Sequence, residues 1–189
     1  MEADWSVALG ADDPMIVVPW SAPGDDASGC RFIDLRLGGG QLIEEVVEAR
    51  SLPALRYALL ELNSTTSPFW TVKCDAWSSQ EPLDAYEMDA EPEEAAFGAG
   101  SYVDLLARDS APNFDRLERW VRVVAETLRG VPARAARVEI VLRRGRVNDE
   151  PGYGVTWFVE GCGATAERAG QAWSTALYLA LPVIMGSAM

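Results

Sequence analysis

The order of strand-like and helix-like hydrophobic patterns is the feature that most limits the fold of this chain. Between residues 31 and 143 the patterns follow one another as strand, helices, strand, strand, helix, strand. This is the βαββαβ order of a ferredoxin-like split βαβ, whose helices cover one face of a mainly antiparallel sheet. We therefore predict an α+β fold with this core. An extra N-terminal strand precedes it, and a C-terminal strand-helix unit follows it.

The strand predictions rest on apolar residues that alternate with polar ones, or on short apolar runs rich in β-branched and aromatic residues. A weaker pattern at 85–88 predicts a short strand within an acidic loop. A polar hairpin loop is expected over 144–152. The predicted strands span residues 15–20, 31–37, 68–77, 102–107, 137–143 and 153–160.

The helix predictions rest on apolar stripes at helical spacing and on residues typical of helix ends. One helix is expected over 41–50, and a second from Pro53 to Asn63, with Asn63 as a left-handed C-terminal residue. Asn113 is expected to cap a helix that runs to residue 129. Thr165 is expected to cap the last helix, which Pro182 should end, because a proline disfavours helical geometry in the residue before it.

The length of 189 residues is typical of one domain. A two-lobed substructure, 1–78 and 98–189, is the alternative, with an acidic loop over 79–97 joining the lobes. This loop holds seven acids and no base between Glu81 and Glu94. Carboxylates suit hard cations such as Ca²⁺. The acids are irregularly spaced and lack a D-x-D-x-D-G pattern, so we predict a solvated loop and no metal site.

The charge balance limits the partners. The net charge is −13, and residues 1–104 carry 20 acidic against 5 basic side chains. Such a chain repels phosphate backbones, so we expect no nucleic-acid partner. The most apolar stretch, residues 172–185, is interrupted by Pro182 and is too short to span a bilayer, so we expect no membrane partner. The N-terminus lacks the pattern of a secretory signal, which predicts a cytoplasmic protein.

The sequence contains no histidine, which removes most of the usual catalytic machinery. A Ser-His-Asp triad, a Cys-His pair and an imidazole metal ligand are all excluded. The only lysine is Lys73, in the strand predicted over 68–77. Alternation places Lys73 and Asp75 on one strand face with Phe69, Thr71 and Trp77. A desolvated lysine beside a carboxylate can act in acid–base chemistry, so Lys73 and Asp75 are the candidate catalytic residues. The alternative is an ion pair on the strand surface.

A second candidate site is the turn Gly161-Cys162-Gly163-Ala164-Thr165, between a predicted strand and a predicted helix. It matches G-x-G-x-x-A, but a dinucleotide site needs a further strand and an acid about 20 residues on. Both are missing, so we predict no cofactor. Gly161, Cys162, Gly163 and Thr165 remain a candidate anion-binding turn, because a helix N-terminus offers free N–H groups. The alternative is a tight turn that requires small residues.

The three cysteines, Cys30, Cys74 and Cys162, form no CxxC motif. This spacing excludes zinc-ribbon and thioredoxin-like readings. Cys162 precedes a helix N-terminus, where a thiol pKa falls. The alternative for Cys74 and Cys162 is a buried structural thiol.

Two function classes remain open. The first is a non-enzymatic binding or protein-interaction module whose partner is an unknown protein or small molecule. Self-association into a homo-oligomer, through a sheet edge or an aromatic surface, belongs to this class. The second is a small hydrolase or isomerase that uses Lys73 and Asp75 for general acid–base chemistry. A concave pocket that holds both residues and a second carboxylate would favour the enzyme.

Overall fold

A computed structural model describes residues 1–20, 31–108 and 113–187 of the chain. The fold is mixed α+β, as predicted, with a six-stranded sheet and helices packed on it. The strands are β1 (Glu2–Ala8), β2 (Ile16–Val18), β3 (Phe69–Ser79), β4 (Phe97–Ala107), β5 (Ala136–Val147) and β6 (Glu150–Gly163). The helices are α1 (Val47–Ser51), α2 (Pro53–Leu62), α3 (Phe114–Arg129) and α4 (Ala166–Gly186), with 3-10 helices at Gly38–Glu45 and Pro92–Glu94.

The sheet is mixed. Its strand order is β1-β5-β6-β4-β3, and the short β2 pairs with β5 beyond the end of β1. In the order β3-β4-β6-β5, each strand runs antiparallel to the next. The strands β1 and β2 run parallel to β5. Strands from residues 1–78 therefore lie at both edges of the sheet, and strands from residues 98–189 lie at its centre.

The main core lies between the sheet and helices α2, α3 and α4. Successive strand residues point to opposite faces, so every second residue of β4, β5 and β6 enters this core. Trp157 of β6 is fully buried there, and the ring of Phe69 packs 4.7 Å from that of Trp120 on α3. The Nε1 of Trp173 on α4 donates a hydrogen bond of 3.0 Å to the Ser101 hydroxyl, which joins the helix to β4.

The opposite sheet face carries no α-helix in the parts of the chain that the structure describes. Two small apolar clusters cover its ends instead. One joins β2 to β3 and β4 through Ile16, Trp70 and Leu106. The other is formed by segment 83–95, whose Met88 and Ala95 pack on Cys162 of β6. Between the clusters lies an uncovered band of sheet, which we call the open face.

The ferredoxin-like core is not confirmed, because its first strand is absent. Residues 31–37 form an isolated bridge and a turn, and the chain then enters a 3-10 helix. Asp34 explains the turn: its carboxylate accepts from the Arg36 backbone N–H and side chain, and its carbonyl accepts from the Leu37 N–H. Of the alternating apolar residues in 31–37, Ile33 and Leu35 pack against the main core, whereas Leu37 is exposed.

A strand in the first residues was missed. Ala3, Trp5 and Val7 alternate with polar residues in Glu2–Ala8, and this pattern predicts the strand that the structure contains. The helix expected over 41–50 is divided into the 3-10 helix and α1, and Val47 is exposed rather than on the buried stripe. The short strand expected at 85–88 is a turn.

Two further predictions, about where strands and a helix end, were wrong. The loop expected over 144–152 shrinks to Asn148 and Asp149, with φ of 48° and 70°. Both residue types tolerate positive φ, so the pair closes a two-residue hairpin. Pro182 lies inside α4, which continues because Leu181 and Ile184 are buried against the core.

The predicted helix starts of α3 and α4 are confirmed. The Asn113 side chain accepts from the Arg116 N–H at 2.9 Å, and the Thr165 hydroxyl accepts from the Arg168 N–H at 3.3 Å. Asn63 does end α2, but with φ of −98°, so its predicted left-handed conformation is wrong. No helix in the described ranges is long and apolar enough to cross a membrane.

Candidate functional site

One cross-strand row runs over the centre of the open face. Register places Asp75 of β3 beside Tyr102 of β4, Tyr102 beside Phe158 of β6, Phe158 beside Glu139 of β5, and Glu139 beside Asp4 of β1. Neighbouring strands lie about 4.8 Å apart, so the row spans roughly 19 Å. It presents two aromatic rings between carboxylates, and we call it the acid–aromatic row.

The two rings of the acid–aromatic row form a pair. The centroids of Tyr102 and Phe158 are 5.8 Å apart, at an interplanar angle of 47°. Both side chains are half-buried, and neither packs against the three apolar clusters of the protein. Aromatic side chains of a core are fully packed, whereas adjacent aromatic side chains that face solvent on a sheet are typical of a contact surface.

A polar chain lies in the next row of the open face. The Thr156 hydroxyl donates to a carboxylate oxygen of Asp104 at 2.6 Å, and the Arg143 Nε donates to the Thr156 oxygen at 2.8 Å. Burial raises the pKa of Asp104, while Thr156, Arg143 and the cross-strand neighbour Lys73 act in the opposite direction. Asp104 is therefore a second carboxylate beside Lys73, and burial raises its pKa.

Two further groups near Asp104 have raised pKa values. Burial raises the pKa of the Cys74 thiol to about 12, with smaller contributions from Glu48, Asp75 and Asp104. Burial also raises the pKa of Tyr102, again assisted by Asp104 and Asp75. Cys74 is thus a protonated thiol at neutral pH, which makes it a poor nucleophile.

Lys73 and Asp75 form no hydrogen bond or ion pair with each other, and their catalytic role stays a prediction. Both are exposed, whereas the catalytic hypothesis needs a desolvated lysine. Asp75 accepts a 2.7 Å hydrogen bond from the Ala76 N–H, and Lys73 forms no ion pair with a described carboxylate. The Lys73 Nζ instead stands 5.5 Å from the centroid of a Trp20 ring.

The predicted face assignment of β3 also needs a correction. The register of β3 against β4 shifts between Thr71 and Lys73, as at a β-bulge. Phe69 therefore packs in the main core together with Cys74, while Trp70 packs in the cluster on the opposite face. An extra residue in the strand exchanges the two faces, which the simple alternation of the sequence does not show.

A concave pocket lies at the outer edge of β3. It has a volume of about 430 Å³ and lies between β3, the segment around Ile33 and Leu35, and the start of α1. Lys73 lines it together with Glu48, whereas Asp75 does not. We call this cavity the edge pocket.

The glycines of the turn before α4 have a packing role. A Cβ at Gly161 would lie 2.2 Å from the Trp173 backbone nitrogen, and one at Gly163 would lie 2.5 Å from the Ala169 nitrogen. The strand therefore touches the helix backbone directly. The anion-binding role of Gly161, Cys162, Gly163 and Thr165 stays a prediction. Cys162 is buried beneath segment 83–95, and burial raises its pKa.

The acidic loop forms a wall beside the open face. Its Glu87 carboxylate pairs with Arg137 of β5 at 2.6 Å, and Glu91 and Glu94 form a capping box on the second 3-10 helix. Within the described residues, no group of three or more Cys, Asp or Glu side chains could hold a metal ion.

Sequence reasoning missed Asp104, Tyr102 and Phe158. A signal for them exists, because Tyr102 and Asp104 alternate with buried Val103 and Leu105 in β4. Their meeting with residues of β6 depends on strand order, which the sequence pattern does not specify. Comparison of the chain with protein-family models, with curated proteins and with solved structures finds no match. The functional interpretation therefore rests on the residues of the open face and the edge pocket.

Proposed function

We propose that this chain is a non-enzymatic binding protein whose open face holds a positively charged segment of a partner protein. The acid–aromatic row is the observation that supports this function best. Its Tyr102 and Phe158 rings lie between carboxylates at both ends. Lysine and arginine side chains bind aromatic faces through cation–π contacts and carboxylates through ion pairs.

The charge around the row supports a cationic partner. The Glu160 carboxylate, in the row on the other side of the acid–aromatic row, forms no hydrogen bond to a described residue. Burial raises its pKa, Arg137 acts against this, and Glu139 and Glu87 add to it. Arg137 is already paired with Glu87, and Arg143 is bonded to Thr156.

The carboxylates of the row are engaged as well: Glu139 lies 3.9 Å from Arg137 and accepts from the Ser6 hydroxyl, and Asp4 lies 3.8 Å from Arg129. The acids of the open face still outnumber its bases, because Asp4, Asp75, Asp104, Glu139 and Glu160 lie there with Lys73, Arg137 and Arg143, and this excess favours a cationic partner.

The size of the row fits an extended peptide. An extended chain advances about 3.3 Å per residue, so the row of roughly 19 Å matches about six residues. The partner would lie across the strands, so its backbone needs no free sheet edge.

Backbone groups on both edges of the sheet are engaged locally, which disfavours self-association by strand addition. On β1, the Ala3 carbonyl accepts from Arg129, and the Trp5 N–H donates to Asp4. On β3, the Val72 carbonyl accepts from Trp20 and the Thr71 N–H donates to Asn63. Such contacts satisfy groups that a further strand would use.

The enzyme alternative has less support. The edge pocket holds Lys73 without Asp75, and the Asp75 carboxylate is exposed and bonded to its own strand. A general acid–base pair needs both groups within reach of one substrate. This geometry favours binding over acid–base catalysis.

Fluorescence anisotropy with a labelled peptide of alternating Arg and Ala tests the proposal, with a Glu-Ala peptide as the charge control. Phe158→Ser should weaken the Arg-Ala affinity about threefold or more, because a cation–π contact contributes about 0.5–1 kcal/mol at an exposed site. Tyr178→Ser is the matched control, since Tyr178 belongs to an exposed aromatic pair, with Tyr57, on the helical side. Glu139→Gln should weaken binding more than Glu167→Gln, which removes the same charge from the start of α4.

Equal loss from Phe158→Ser and Tyr178→Ser would contradict the proposal, because it would mean that the peptide follows net charge alone. Binding of the Glu-Ala peptide with similar affinity, or no binding of either peptide, would also contradict it.

A further inference from the structure

The edge pocket is a second concave site, separate from the acid–aromatic row. Its volume of about 430 Å³ lies within the range of small-molecule sites, about 300–1,000 Å³. β3 supplies one wall and the segment from the first 3-10 helix to α1 supplies another. The pocket uses no residue of the acid–aromatic row, so the two sites can be tested separately.

The edge pocket has an apolar wall beside its charged side chains. Leu35, Val46, Leu59 and Val72 line it, and all four are buried parts of the protein's apolar clusters. The half-buried thiol of Cys74 adds to this surface, because burial keeps it protonated. A ligand therefore needs an apolar group to fill the pocket.

The charged side chains of the edge pocket fall into two sets. Arg31 and Glu45 pair with each other at 2.9 Å, and the Arg50 Nε donates to the Glu44 carbonyl at 2.8 Å. Lys73 and Glu48 have no ion pair or hydrogen bond to a side chain of the described residues. Among the described residues, the Lys73 ammonium and the Glu48 carboxylate thus line the same pocket without an ion-pair partner, and Arg50, held by the Glu44 carbonyl, also has none.

We propose that the edge pocket binds a small zwitterion with an apolar side group, of the class of free apolar α-amino acids. The ligand carboxylate pairs with the Lys73 ammonium, the ligand ammonium pairs with the Glu48 carboxylate, and the apolar group packs on Leu59, Val46 and the Trp20 ring. A simple anion satisfies Lys73 but meets Glu48, and a simple cation has the reverse problem. A zwitterion satisfies both charges, which favours it over either.

Isothermal titration calorimetry on the full chain tests this with phenylalanine, phenylalaninamide and N-acetylphenylalanine. Phenylalanine should bind about tenfold more tightly than either derivative, because each derivative lacks one of the two charges. Lys73→Met should weaken phenylalanine about tenfold and leave phenylalaninamide unchanged. Glu48→Gln should weaken phenylalanine similarly and leave N-acetylphenylalanine unchanged. Arg134→Met and Glu93→Gln are matched charge controls at exposed positions outside the pocket.

No heat with millimolar phenylalanine would overturn the proposal, as would equal affinity for the three compounds. Loss of affinity in the two control variants would also overturn it, because net charge would then explain the effect. The Phe158→Ser variant should bind phenylalanine normally. Failure of this site therefore leaves the proposed function of the open face standing, and failure of that function leaves this site standing.

Discussion

Substitution of Gly161 by alanine is expected to push the first half of α4 away from the sheet. The new Cβ would lie 2.2 Å from the Trp173 nitrogen and 2.7 Å from its Cα. These are backbone atoms of the helix, so no rotamer change relieves the contact. Ordinary van der Waals contact begins at 3.4 Å, so α4 must move by about 1.2 Å at this point.

The cost of this movement follows from what α4 buries. Trp173 packs in the main core and bonds to Ser101, and Ala169 touches β6 at Gly163. A gap of 0.5–1 Å already forfeits about a quarter to a half of a dispersion contact. Overpacking typically costs about 1–3 kcal/mol, occasionally more. Because the helix backbone itself must move, we expect Gly161→Ala to lower the free energy of unfolding by about 3–5 kcal/mol.

Urea denaturation followed by tryptophan fluorescence measures this loss, with Gly170→Ala as the matched control. Gly170 lies in the same helix, and a Cβ there meets nothing within 4 Å. Alanine should therefore stabilise that position by about 0.5–1 kcal/mol. For a chain of this size, the expected loss at Gly161 corresponds to a fall in Tm of roughly 10 °C.

Two results would refute this reasoning. One is a Gly161→Ala protein as stable as the unsubstituted chain. The other is an equal effect of both substitutions, which would mean that helix propensity, rather than contact between β6 and α4, decides the outcome.

Three further predictions concern stability. Burial raises the pKa of Asp104, so the stability that its protonated form contributes is complete below the unfolded value and is lost as pH rises through the folded value. Asp104→Asn should therefore gain stability relative to the unsubstituted chain as the pH rises from the usual aspartate range through the raised pKa of Asp104, and a pH-independent difference in urea denaturation would contradict this. Arg108 donates to the carbonyls of residues 63, 64 and 67, so Arg108→Lys should cost about 1.5–3 kcal/mol by the same assay; an unchanged midpoint would contradict it. Pro182→Ala should stabilise α4 by about 1–2 kcal/mol, because it restores a backbone N–H inside the helix, and a lower Tm would show that the proline is needed there.

Local features of the fold follow well from the sequence. Asn113 and Thr165 cap the helices that they were expected to cap, because a short polar side chain can satisfy an N–H of the first turn. α3 ends at Arg129 as predicted, since its apolar stripe ends there. These predictions depend only on residues within one helical turn of each other.

Features that depend on distant residues do not follow in the same way. The alternation of 31–37 is as regular as that of a strand, yet Asp34 makes it a turn, so that Leu35 packs in the main core while Leu37 is exposed. The bulge in β3 places Phe69 and Cys74 on the same face, although alternation predicts opposite faces, and no residue type marks the bulge.

The same limit applies to the candidate site. Lys73 was expected because it is the only lysine. Tyr102 pairs with Phe158 because β4 lies beside β6 in the sheet. The hydrophobic pattern of the sequence does not specify this strand order.

Nuclear magnetic resonance of the isotope-labelled protein, titrated with the Arg-Ala peptide, tests binding at the open face most directly. The largest amide shift changes should map to Asp75, Tyr102, Phe158 and Glu139, which form one row across four strands. Changes that centre on Tyr57 and Tyr178 of the helical side, or that spread evenly over the acids of 81–94, would contradict the proposed function.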